Sequence, residues 1–148
     1  MMESLHRYRA LDAPDRSLIV EAAMLLAVVR IGLTAVHFPV LRRALDRAVG
    51  TFSRHTAGTS ASPVSRLTWA VAAVARRWPF RSTCLIESVA VDAMLRRRGY
   101  ASEIRFGVRP PSGSALAGHA WVEHDGMVVF GALHELAEYS VLSARDAV

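Results

Sequence analysis

Residues 82–99, STCLIESVAVDAMLRRRG, are written as one uninterrupted capped helix, and shortly after them the hydrophobic period changes from helical to two. Hydroxyls at Ser82 and Thr83 precede the apolar run, helix formers fill it, and Gly99 stands just past its last turn. In SEIRFGV, Ile104 and Phe106 fall on one face and Glu103 and Arg105 on the other, the alternation of a half-exposed strand. HAWVEH and MVVFG then flank Asp125-Gly126, a two-residue hairpin signal. An apolar helix needs a surface to bury against, and an alternating antiparallel sheet supplies one. The second half therefore predicts a central helix packed on a small antiparallel sheet, an α+β architecture.

The first half has helical period only. Residues 1–14 are polar, Asp15 or Ser17 can cap a helix running to about Val36, and Pro39 is expected to end it. VLRRALDRAV starts a second, short helix that Gly50 is expected to close. TFSRHTAGTSASP reads as a mobile linker. Leu67, Ala70, Val71 and Val74 recur at helical spacing and predict a third helix from Val64 to Arg77, stopped by Pro79. The chain thus divides into a helical region with linker, residues 1–63, and a core, residues 64–148, within a length of 148 residues that suits one compact domain.

With 52% hydrophobic and 21% charged residues, the composition excludes a disordered chain. All 18 basic residues are Arg, and Lys, Asn and Gln are absent, so no Asn or Gln side chain is present to orient a catalytic His or to donate to an oxyanion. The net charge of +5 is spread along the chain, apart from Arg96-Arg97-Arg98, without interleaved aromatics, which argues against nucleic-acid binding. Those three Arg sit where they complement the negative end of the helix dipole. The apolar stretch from Ser17 to Val40 is interrupted by Glu21 and Arg30. Each charge near a bilayer centre costs about 2.5–3.5 kcal/mol, so this stretch is expected to be a buried helix rather than a membrane span. One cysteine forms no internal disulfide, which fits the cytoplasm.

That cysteine, Cys84, heads the central helix. A thiol with the ordinary pKa near 8.5 is mostly protonated at neutral pH, and the thiolate is the nucleophile. Free N–H groups in a helix's first turn favour an anion there and can also bind the oxyanion of a tetrahedral intermediate. His119, after Gly118 at the start of the HAWVEH strand, is the candidate base. Trp121 shares its face, and Trp78 and Phe80 precede the thiol, so Trp78, Trp121 and Gly118 are candidates for the substrate cleft. The loop PPSGSALAG leading to His119 has the glycines a lid needs. His119 and His124 point to opposite faces of one strand, and His134 with His119 lacks a third ligand, so neither a metal nor another cofactor is expected.

PFRSTCLIESVAVDAMLRRRGYASEIRFGV followed by GHAWVEHDGMVVFG resembles the transglutaminase-like leader peptidases of lasso-peptide biosynthesis, over about residues 78–142. The resemblance implies a transglutaminase/papain-like fold, with Cys84 as nucleophile and His119 as general base. It implies removal of the leader from a ribosomally made precursor before a lasso cyclase closes the macrolactam. Its partners would be the precursor leader peptide, a separate small leader-recognition protein and the cyclase. The family's Cys-His-Asp triad does not carry over complete, because the residue after Gly131, where the family has Asp, is Ala132. Counting back from the Asp125-Gly126 turn places Ala132 opposite His119, and Glu135 is the nearest carboxylate able to serve as orienter. Two other readings stay open: a peptidase-like scaffold that binds precursor or cyclase without cleaving, and a Cys-His amidase or acyltransferase.

Overall fold

The structure, a computed structural model, describes residues 11–53, 63–79, 82–109 and 117–142. Most of the polar start, residues 54–62 of the linker, Phe80 and residues 110–116 of the loop before His119 lie outside the described residues. The helices are α1 (Ala13–Ala35), α2 (Phe38–Ser53), α3 (Val64–Ala75) and α4 (Cys84–Arg97). The strands are β1 (Glu103–Arg109), β2 (Ala117–His124), β3 (Met127–Phe130) and β4 (Ser140–Val141), with a 3₁₀ turn over Leu136–Glu138 before the last.

The helix α1 begins earlier than the sequence suggests, its cap three residues before Asp15 and five before Ser17. Asp12 is its N-cap and Pro14 lies in the first turn, where a missing N–H costs nothing. Asp15 is inside the helix, buried, and paired with Arg66 of α3. Likewise Pro39 opens α2 instead of ending α1, and Gly50 lies within α2 instead of closing it. One face of α1, with Leu18, Ala22, Leu26 and Val29, enters the core; Val20, Met24, Val28 and Ile31 face outward. By length and composition this helix could cross a membrane, yet its buried face packs with α3, α4 and Val122 of β2 in a single cluster.

The Arg triplet does more than meet a helix dipole. Arg97 and Arg98 reach Glu21 of α1, at 3.1 and 2.7 Å, and Arg96 pairs with Asp46 of α2. Glu21 in the apolar helix thus has two cations to neutralise it, which is what a carboxylate with 15% exposure requires. Asp92, on the buried side of α4, accepts from Ser102 at 2.7 Å and faces Arg42 at 2.9 Å. Burial pushes its carboxyl up, against the pull of Ser102 and Arg42.

The four strands lie in the order β3-β2-β1-β4 and pair antiparallel. β1 and β2 run from Glu103↔Glu123 to Arg109↔Ala117 without a break. The hairpin turn is as expected, with Asp125 and Gly126 at φ of 50° and 75°, the positive values a two-residue turn of this kind needs. Beyond it, the register expected from the turn fails. A β-bulge pairs Val122 with Phe130, one residue later than simple counting, so Gly131 comes alongside Trp121, one residue off the register that would set Ala132 opposite His119.

Candidate active site

The thiol sits where α4 begins. Thr83 is the N-cap, its hydroxyl accepting from the Ile86 N–H at 3.4 Å, while Ser82, also expected to cap, has a buried hydroxyl with no hydrogen-bond partner among the described residues. Cys84 is half-buried and not in a disulfide. One turn further on, Ser88 is fully buried and its hydroxyl donates to the Ala120 carbonyl at 3.1 Å. Two turns on, Asp92 meets Ser102, next to the start of β1. The helix therefore runs along β2 so that Cys84 and His119 belong to the same end of the contact, with the Ser88 bond one turn from the first and one residue from the second. Replacing Ser88 with Ala is expected to leave the Ala120 carbonyl unsatisfied and to lower unfolding free energy by about 1–2 kcal/mol, measured by urea denaturation.

His119 is held on three sides. Its Nε2 lies 2.7 Å from the Gly131 carbonyl oxygen. Its ring stacks on Trp121, with centroids 6.1 Å apart and planes 19° from parallel, and Tyr139 tilts against it at 5.8 Å. No hydrogen bond joins the Cys84 thiol to the imidazole among the described residues. Gly131 has φ of 79°, and a Cβ there would come within 3.1 Å of the Ala120 oxygen and of Trp121, so this close crossing over β2 needs glycine.

The other expected site residues are dispersed. Glu135 pairs with Arg109, which also meets Glu138 at 3.2 Å and lies over the Tyr139 ring. Its carboxylate is committed there and does not reach the imidazole. Trp121, expected to line the cleft, is 2% exposed, because its ring lies over Gly107 where a Cβ would come within 2.8 Å. It backs the histidine instead of meeting solvent. Trp78 is half-buried against the helical core, and Gly118 is exposed with open space where a side chain would go. His124 is turned to the Ala101 carbonyl at 2.5 Å and to Tyr100, and His134 is exposed. Among the described residues, no three His, Cys, Asp or Glu side chains gather as metal ligands. The sequence reading missed Gly131 and Tyr139. The glycine ending MVVFG was the available signal for the first, whereas Tyr139 sits on a segment with no periodic pattern.

Behind His119, Glu123 accepts from Trp121 Nε1 at 2.9 Å and from Arg105 at 3.1 Å. These bonds, the Trp121 one foremost, hold its carboxyl below the ordinary value of 4.5. A carboxylate with a depressed folded pKa stabilises the fold above its unfolded pKa, and that contribution is lost as pH falls through the folded value. Thermal stability should therefore drop on acidification below about pH 4.5, and less steeply in Glu123→Gln, as read by melting temperature against pH. Between α3 and the sheet edge, Ser65, Thr68, Trp69, Val128, Phe130, Gly131 and Ala132 help to line a groove of about 310 Å³.

A thiol on the first turn of a helix and an imidazole at the start of the strand beneath it are the elements of a cysteine-dependent acyl-transfer site. Residues 25–144 match the Transglutaminase-like superfamily, and the chain belongs to it. That superfamily is typically one of cysteine peptidases and acyltransferase-like enzymes. Comparison with curated proteins and with solved structures gave no match.

Proposed function

We propose that this protein is a cysteine peptidase that removes the leader peptide from a ribosomally synthesised lasso-peptide precursor before macrolactam cyclisation. The observation that carries the reading is the Ser88–Ala120 bond, which fixes the start of the Cys84 helix against the start of the His119 strand. The sequence from Trp78 through the HAWVEH hairpin supports the choice of substrate class by its resemblance to lasso leader peptidases. His119 takes the thiol proton, and the thiolate adds to the scissile carbonyl. The first-turn N–H groups of α4 receive the oxyanion. The intermediate then expels the amine, which takes its proton from the imidazolium, and water hydrolyses the thioester with His119 as base again. The groove along α3 and β3, open and contiguous with Gly131, is where this reading lays an extended stretch of precursor.

Leader capture falls, in this proposal, to a separate small recognition protein, with the lasso cyclase taking the product in the cytoplasm. Incubated with a precursor alone the protein should cleave slowly, and the recognition protein should raise the rate by raising local substrate concentration. Mass spectrometry of the released leader and core reads the cleavage. Equal rates with and without the recognition protein would remove it from the scheme. One observation favours a second reading, a non-cleaving scaffold: no carboxylate reaches His119 among the described residues, and its ring is not bonded to the thiol. Binding of precursor and recognition protein with no cleavage would establish that reading.

A further inference from the structure

We propose that the Gly131 backbone carbonyl is the positioning group for His119, in place of the carboxylate of a Cys-His-Asp triad. A carbonyl oxygen can only accept, so the ring nitrogen 2.7 Å from it, Nε2, must carry the proton. The neutral ring then has its lone pair on Nδ1, the nitrogen left to act as base. The same bond gains strength when the ring becomes imidazolium, because a charged donor binds a carbonyl more strongly. This is the work an orienting carboxylate performs, at smaller amplitude, since a carbonyl dipole offsets less positive charge than a full anion does.

The rest of the segment is built to hold that oxygen in place. The bulge opposite Val122 brings Gly131 over Trp121, where only glycine fits at positive φ. Trp121 and Tyr139 flank the imidazole and limit its rotation out of the hydrogen bond. The carboxylate nearest in sequence, Glu135, is drawn off by Arg109. The inference rests on reading His119 as the base, and the test separates the two.

With nitrogen-15-labelled histidine in the full chain, the His119 ring is assigned by the signal that disappears in His119→Ala. The wild type should show a protonated Nε2 whose hydrogen exchanges slowly with solvent, and a bare Nδ1. Glu135→Ala should leave that signature unchanged and alter peptide cleavage no more than about twofold, the size of surface effects. In Gly131→Ala the slow exchange should vanish. kcat should fall on the order of 100-fold, within the roughly 10⁴-fold seen when a triad histidine loses its tautomer, while KM moves little. Protonation at Nδ1 in the wild type overturns the proposal without any variant having to fold. So does loss of the signature in Glu135→Ala, or its retention with full kcat in Gly131→Ala. If no peptide is cleaved at all, the ring signature still decides the positioning, and only the assignment of His119 as base falls.

Discussion

Cys84→Ala is expected to abolish precursor cleavage, with kcat falling on the order of 10⁶-fold, the loss seen when the nucleophile of a comparable hydrolase is removed. Within the described chain no substitute thiol exists, since Cys84 is the single cysteine. The folded state should tolerate the change, because the side chain is half-buried, stands at the first position of α4, and leaves the Thr83 cap and the Ser88 bond intact. Circular dichroism and melting temperature should therefore match the wild type while the thioester adduct disappears from mass spectra of the trapped enzyme. Cleavage that survives Cys84→Ala would move the chemistry away from α4 altogether.

His119→Ala should produce a loss of similar size, because a nucleophile and its base act as a unit. The double variant Cys84→Ala/His119→Ala should be no slower than either single one, whereas independent contributions would multiply. The distinguishing power lies in that non-additivity. Removing the ring also leaves the Gly131 carbonyl without its donor and uncovers Trp121, so some loss of stability accompanies the loss of rate. Stability should fall by about 1–3 kcal/mol, measured by denaturant titration, too little to unfold an ordinary domain. Activity restored to His119→Ala by added imidazole would place the defect in proton transfer.

Much of the site was legible before any coordinate. The helix from Cys84 is bounded by a hydroxyl and a glycine, both local signals, and both hold at Thr83 and Gly99. The Asp-Gly turn is local too, because the residues that tolerate positive φ announce themselves. Pro39 is ambiguous for the opposite reason: proline ends one helix as readily as it opens the next, and the tertiary structure places it in the first turn of α2. Register along the hairpin failed at Val122, since a bulge is inserted to satisfy the sheet's twist and the crossing chain, neither of which leaves a period in the sequence.

The sequence alone determined the helix-on-sheet class, the hairpin, and the two residue types able to run acyl transfer, because capping, alternation and turn chemistry depend on neighbours in the chain. Only the tertiary structure decided what holds His119. Its partners Gly131 and Tyr139 arrive through a bulge and an aperiodic crossing over the sheet, and Glu135 is taken by Arg109 from a different strand. Such contacts are set by packing between segments distant in sequence, where a one-residue shift exchanges a side chain for a backbone carbonyl.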